Sequence, residues 1–216
     1  MLSYQTVFPN TLELLRVLAQ QPLLSGMRLV GGTSLALQYG HRRSVDLDFF
    51  GIASEDIDEI TAMMHQCAKQ VIKGNCTNRI KTYYLDEVKV YVVNYDYDWI
   101  DAPIKEDGIV LASPKDIAAM KVNAVIGRGT KKDFVDVFFL LQHYSFDELI
   151  QLYLQKYADG SEYRALLSMS YFADADPQPM PYMFQSVKWD TIKSTIKHEV
   201  ESYNARHLLS FKQQLY

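Results

Sequence analysis

The chain reads as an α/β (α+β) protein, and three observations carry that reading. Residues 29–50, Leu-Val-Gly-Gly-Thr-Ser-Leu-Ala-Leu-Gln-Tyr-Gly-His-Arg-Arg-Ser-Val-Asp-Leu-Asp-Phe-Phe, pass from a short apolar strand through a glycine turn and a short helix into a second strand. Two β-rich runs, 79–85 and 88–95, flank Asp86-Glu87 as the arms of a hairpin. From Ser113 onward the patterned segments recur at helical spacing. With 216 residues, the expected organisation is an α/β domain over 1–142 and a helical C-terminal extension over 143–216 packed on it.

Taken in order, Asn10-Thr-Leu-Glu13 predicts a capping box opening a helix with Leu12, Leu15 and Leu18 inward; Pro22 and Gly26 end it. Arg28-Leu29-Val30 is the end of a buried strand. Gly31-Gly32 permits positive φ and close approach of another group. Thr33 or Ser34 is placed to cap the next helix, and Gly40 to end it. In the following strand Asp46 and Asp48 share one face while Leu47 and Phe49 take the other. Ser54, Glu55 and Asp56 start a helix marked by Ile57, Ile60, Met64 and Val71 and stopped at Gly74-Asn75. After the hairpin, Ile109-Val-Leu111 is one more short strand.

Ser113-Pro-Lys-Asp116 starts a helix that runs to Gly127 and sets Ile117, Lys121 and Ala124 on one stripe. Thr130 with Asp133 predicts a second capping box, opening a helix with Phe134, Val137, Phe138 and Leu141 buried and Asp136 off that stripe. Leu149, Leu152 and Leu154 are expected in a core. Residues 174–181 form a proline-rich loop, and a last helix over 187–207 carries Trp189, Ile192, Ile196 and Val200 at helical spacing.

The bulk properties narrow the function. Hydrophobic residues make up 48% and charged residues 22%, enough for a sizeable core, and the net charge of −4 argues against broad nonspecific nucleic-acid binding. Cys67 and Cys76 lack metal-site spacing and read as free thiols of a cytoplasmic protein. No apolar run is long enough to cross a membrane.

The chemistry concentrates at the aspartates. Two carboxylates side by side repel, and a divalent cation relieves that; Mg²⁺ (or Mn²⁺) takes oxygen ligands and bridges to substrate phosphates. A glycine turn followed, one helix later, by Asp-x-Asp therefore points to a metal-bound nucleoside triphosphate, against the plainer alternative of solvated aspartates after an ordinary turn. Lys121 either snorkels to solvent or reaches a cleft and neutralises phosphate charge. Asp136 is either a solvated helix residue or orients Lys121 or a substrate hydroxyl. The basic stretches 41–43 and 128–132 are solvated loops or guides for RNA phosphate. A dinucleotide-dependent oxidoreductase is excluded, because the turn lacks G-x-G-x-x-G spacing.

Gly31-Gly32-Thr33 followed by Asp46-Leu-Asp48 resembles the signature of the nucleotidyltransferase superfamily. The phrases Leu29-Val-Gly-Gly-Thr-Ser-Leu-Ala-Leu, His41-Arg42-x-Ser44-x-Asp46-Leu-Asp48-Phe-Phe, Ala118-Ala-Met-Lys121 and Arg128-Gly-x-Lys-Lys132-Asp133-Phe-x-Asp136 resemble the AbiEii/AbiGii type, the toxin of bacterial type IV toxin–antitoxin and abortive-infection (phage-defence) systems. The resemblance covers about residues 25–142. It implies a mixed sheet flanked by helices and transfer of a nucleoside monophosphate from an NTP to a hydroxyl of RNA, tRNA or protein. It also implies a cognate antitoxin as partner, and no membrane.

On that resemblance Gly31, Gly32, Thr33 and Lys121 bind nucleotide, with Arg42 and Ser44 matching the loop pattern. Asp46 and Asp48 bind Mg²⁺ and act in catalysis, and Lys121 and Asp136 match the later catalytic motifs. One departure stands out. A third carboxylate is often found on a following strand, and its place here falls to Tyr91, a poor Mg²⁺ ligand and, with a pKa near ~10, a weak base. Either two aspartates suffice with help from Asp136, or the chain binds nucleotide or a partner on a catalytically weakened scaffold.

Overall fold

The computed structural model describes residues 1–54 and 56–213, with side chains as far as His207. Glu55, read above as part of a helix start, lies outside the described residues. Two compact units divide at Ile117/Ala118, whereas the sequence reading sets its boundary at 142.

The first unit is built on a seven-stranded mixed sheet, which bears out the expected fold class. Its strands are β1 (Met27–Leu29), β2 (Leu47–Gly51), β3 (Val71–Cys76), β4 (Ile80–Leu85), β5 (Val88–Asn94), β6 (Ile104–Glu106) and β7 (Ile109–Leu111), in the order β3-β4-β5-β2-β1-β7-β6. Strand β2 runs antiparallel to β1 and parallel to β5; β1 and β7 are parallel. Helices α1 (Pro9–Ala19), α2 (Gly31–Tyr39) and α3 (Ile57–Cys67) accompany the sheet. Leu15 and Leu18 of α1, Met64 of α3 and Leu29, Leu47 and Val90 of the sheet share one apolar core.

The local reasons are legible residue by residue. Helix α1 opens on Pro9 with Phe8 as cap and no side-chain cap bond, so Asn10-Glu13 is not the box expected. Proline at the first position sets φ for the helix without costing a hydrogen bond. Helix α3 is capped by the Asp56 carboxylate, which accepts from the Asp58 and Glu59 amides. It stops at Cys67 rather than near Gly74, because Ala68 is extended (φ −144°, ψ 155°). Val71-Ile72 then enter the sheet as edge strand β3, paired antiparallel with β4. The β4–β5 hairpin turns on Asp86 and Glu87, both at positive φ (46° and 72°), the geometry that matches strand twist. The Asp86 carboxylate steadies this turn by accepting from the Lys69 and Gln70 amides. Strand β6, not foreseen, forms a second hairpin with β7 through Asp107-Gly108.

Helix α4 (Pro114–Gly127) starts at the end of the first unit, where Ser113 Oγ accepts from the Asp116 amide and donates to its carboxylate. The second unit is helical: the rest of α4, then α5 (Lys131–Leu140), α6 (Phe146–Lys156), α7 (Glu162–Met169) and α8 (Trp189–Gln213). Helix α5 is buried nearly all round, as befits a central helix. Its interior side chains include Val135, Phe139 and Leu140 besides Phe134 and Val137, whereas Phe138 and Leu141 are only half-buried. Helix α6 has a complete capping box between Ser145 and Glu148. Its core residues are Leu149, Ile150 and Tyr153; Leu154, expected inside, is exposed and Leu152 half-buried. Ile192, Ile196, Val200 and Tyr203 form the buried stripe of α8, which packs on α5, α6 and α7.

Among the described residues no helix is long and apolar enough to cross a membrane. Cys67 and Cys76 are free thiols.

Candidate functional site

The glycine turn and the aspartate strand meet in the first unit. Strand β1 ends at Leu29, and the Val30 amide bonds the Asp48 carbonyl at 2.8 Å, tying the turn to β2. Gly31 then adopts φ +69° and begins α2 itself, with Val30 as cap. A Cβ on Gly31 would lie 2.4 Å from Asp48 Oδ2, and one on Gly32 would lie 2.3 Å from Arg42 Nη2 and 3.2 Å from Ser44 Oγ. A side chain at either position would make the Asp48 carboxylate or the Arg42 guanidinium shift, so glycine lets the main chain come close to both.

Thr33 and Ser34 do not cap α2, contrary to expectation; they lie inside its first turn. Thr33 Oγ1 instead lies 2.9 Å from Ser44 Oγ and hydrogen-bonds the Asp46 carbonyl. Thr33, Arg42 and Ser44 are all buried. The 42–46 loop is thereby fastened to the start of α2, which gives Ser44 a structural task that its sequence match left open, while Arg42 Nη1 donates to the Arg43 carbonyl at 3.0 Å. At this helix start the amides of Gly31, Gly32 and Thr33 precede the first helical bond, from the Ser34 amide to the Val30 carbonyl, and carry the positive end of the dipole.

Asp46 stands immediately before β2 and Asp48 on it. Both are half-buried, while Leu47 and Phe49 are in the core, the alternation expected. Tyr91 is the β5 partner of Asp48 in the parallel register. Lys89, two residues earlier on the same face, holds Nζ 4.6 Å from the Tyr91 ring centre and 5.8 Å from that of Tyr84. Its hydrogen bond to Tyr91 raises the Lys89 pKa, burial opposes this, and the charge of Asp46 adds to the rise. Lys89 is absent from the sequence-level site, although the Val-Lys-Val-Tyr alternation already puts it on the Tyr91 face.

Lys121 and Asp136 are in the second unit, bonded to each other. Lys121 Nζ lies 2.6 Å from Asp136 Oδ2 and 3.1 Å from Asp133 Oδ1. Asp133 also accepts from Arg128 Nε at 2.8 Å, Arg128 Nη2 at 2.9 Å and Thr130 Oγ1 at 2.5 Å. Both carboxylates are fully buried, and Lys121 is nearly so. Two expectations are corrected here. Asp136 is no solvated helix residue, and Asp133 completes no capping box, because the Thr130 side chain makes no cap bond and donates to the Asp133 carboxylate instead. Burial alone would raise the Asp133 pKa; Lys121, Arg128 and Thr130 outweigh it and hold the group well below the usual carboxylate range.

Among the described residues no three His, Cys, Asp or Glu side chains group as a metal cage. The donor set at Asp46 and Asp48 nevertheless suits Mg²⁺, which binds through one or two carboxylates and completes its shell with water and substrate phosphate.

A family model described as "Nucleotidyl transferase AbiEii toxin, Type IV TA system" matches residues 13–98 and 82–211. The chain belongs to the AbiEii nucleotidyltransferase toxin family. The first AbiEii match contains the glycine turn, Asp46, Asp48 and Tyr91, and the second contains Lys121 and Asp136. The chain is also 32% identical over 190 residues to the uncharacterized protein aq_aa25 of Aquifex aeolicus (strain VF5), across 81% of this chain and 86% of that one. MenT4, a nucleotidyltransferase toxin from Mycobacterium tuberculosis H37Rv, is similar in fold: TM-score 0.58, 14% identity, over 87% of this chain and 79% of that one. JHP933 from Helicobacter pylori is similar at TM-score 0.52 and 16% identity, over 96% and 99% of the two chains. Both likenesses are of fold, and they agree with the mixed α/β architecture.

Proposed function

We propose that this AbiEii family member is a Mg²⁺-dependent nucleotidyltransferase that moves a nucleoside monophosphate from an NTP to a hydroxyl of RNA, tRNA or protein. In this reading it is the cytoplasmic toxin of a toxin–antitoxin or phage-defence pair, with an antitoxin as partner. The single observation that carries the reading is the closure of the glycine turn on the aspartate strand, with the Gly31 Cβ position 2.4 Å from Asp48 Oδ2.

The amides at the start of α2 hold phosphate oxygens, and the Arg42 guanidinium against Gly32 adds fixed positive charge behind them. Asp46 and Asp48 hold Mg²⁺ or Mn²⁺, which when bound neutralises the triphosphate and makes its α-phosphorus more electrophilic. The acceptor oxygen forms a bond to the α-phosphorus, the bond to the β-phosphate bridge breaks, pyrophosphate leaves, and the hydroxyl proton passes to solvent. What the chain contributes is positioning and charge, the main resources of phosphoryl-type transfer. Lys121 and Asp136 enter through the family motif as catalytic residues, with Asp136 orienting Lys121.

The test is transfer of radiolabel from each of the four α-labelled nucleoside triphosphates to bulk tRNA or to protein with Mg²⁺. Transfer is expected for wild type and lost in Asp48→Ala; full activity in that variant would refute the assigned site. Tyr91 favours a second reading, a nucleotide- or partner-binding protein on a weakened scaffold. Calorimetry would then give Mg²⁺-dependent nucleotide binding with no turnover on any acceptor.

A further inference from the structure

The sheet order places different chemistry on the two sides of the aspartates. Strand β2 lies between β1 and β5. The glycine turn follows β1, so it flanks Asp48 on one side, while Tyr91 and Lys89 of β5 flank the pair on the other. Attacking and leaving oxygens must stand roughly in line across the transferred phosphorus. With the triphosphate tail on the glycine turn, as the proposed function has it, the acceptor oxygen comes from the β5 side.

Two-metal sites place a second cation at that attacking oxygen. Here the β5 side offers a phenol and an ammonium in place of a carboxylate. Lys89 is not a free surface lysine: it is half-buried, set across from Tyr84 in the β4–β5 register and held at the Tyr91 ring. Its charge also interacts with that of Asp46. A second divalent ion would meet a like charge there, and among the described residues no three His, Cys, Asp or Glu side chains group to hold it.

We propose that Lys89, fixed by Tyr91, supplies the positive charge that a second divalent ion would bring to the acceptor side of Asp46 and Asp48, so that this chain works with one ion. The proposal rests on the function proposed above.

The direct test is Mn²⁺ titration followed by electron paramagnetic resonance, on full-length protein with a non-hydrolysable α,β-methylene NTP analogue. Wild type is expected to take up one Mn²⁺ per chain, and Lys89→Ala/Tyr91→Asp two. Two ions on wild type would overturn the proposal and leave the nucleotidyltransferase reading standing. No Mn²⁺ and no analogue bound to wild type would sink both. In parallel, Lys89→Gln is expected to lower transfer about 100-fold with analogue affinity kept, and Lys89→Arg to recover most of it. Wild-type transfer by Lys89→Gln would also overturn the proposal, whatever the double variant does.

Discussion

The molecule contains two aspartate pairs, and their surroundings differ. In the first unit Asp46 and Asp48 are two residues apart at a strand entrance, half-buried, beside a glycine turn. In the second unit Asp133 and Asp136 are three residues apart on α5, fully buried, and bound by Lys121, Arg128 and Thr130. Spacing alone puts each pair on one face of its element. Burial then separates them. Carboxylates removed from water must be neutralised within the fold, and the second pair is. Asp46 and Asp48 are still reached by water, beside the glycine turn, and a cation from solvent has access to them.

The strongest way to break that comparison is to remove the internal cation. Lys121→Met keeps the volume of the side chain but removes the cation 2.6 Å from Asp136 Oδ2; Asp133 retains Arg128. A loss of about 3–5 kcal/mol is expected for breaking such a buried pair from one side, read by urea denaturation. Adding Asp136→Leu should recover much of it, since apolar replacement of both partners is often neutral or better. Asp48→Asn, by contrast, should cost a small fraction of that in stability while abolishing Mg²⁺-dependent nucleotide binding in calorimetry. If Lys121→Met were as stable as wild type, the second cluster would not be structural, and the contrast would fail.

Gly31→Ala sharpens the other half. An alanine there must hold φ near +69°, which costs about 1–2 kcal/mol for an L-residue. It also forces the Asp48 carboxylate to move, because its Oδ2 occupies the new Cβ's space. The expected result is a modest drop in melting temperature with a loss of nucleotide affinity of at least about tenfold. A loss of stability without a loss of affinity would detach the turn from the aspartates.

Much of this was legible in the sequence, for identifiable reasons. Gly31 and Gly40 were readable because positive φ leaves few alternatives to glycine, and both adopt it. The Asp-x-Asp face was readable because strand side chains alternate. Strand β3 was missed because Val71, read as the last turn of α3, and Ile72 are followed by Lys-Gly-Asn, whose edge position needs no apolar alternation. The buried state of Asp136 was missed because an aspartate inside a helix is ordinarily solvated. Lys121, on the preceding helix α4, helps make its burial tolerable, and that pairing is tertiary. The bond of Arg128, read only as part of a basic stretch, to Asp133 escaped notice for the same reason, as did the role of Lys89, which becomes visible only once Tyr91 is seen beside Asp48.

The second cluster should also show itself on acidification. The Asp133 pKa in the folded chain is held below its unfolded value of about 3.9. Its contribution to stability is therefore fully present above that value and is lost as pH falls from there toward the folded pKa. Thermal melts of wild type between about pH 6 and pH 3 should fall steeply at the acid end. Asp133→Asn, already less stable at neutral pH, should show a shallower fall; an unchanged slope would mean that the cluster does not bind its proton more weakly than the unfolded chain.

The smallest expected effect tests the seam between turn and strand. Thr33 joins them through Ser44 and the Asp46 carbonyl. Thr33→Val preserves shape and removes the hydroxyl, leaving both partners without that bond, at a cost of about 1 kcal/mol. Thr33→Ser keeps the hydroxyl and should restore most of it. Because the lost bond fixes the main chain at Asp46, the consequence should extend beyond stability: Mn²⁺ affinity should fall several-fold in Thr33→Val and only slightly in Thr33→Ser. Nothing comparable is expected in the second unit, where Thr130→Val removes one of several donors to Asp133 and leaves the Lys121 and Arg128 bonds in place. If Thr33→Val altered stability and left Mn²⁺ affinity unchanged, Thr33 would not position Asp46 for a cation, and the contrast between the two pairs would lose this support.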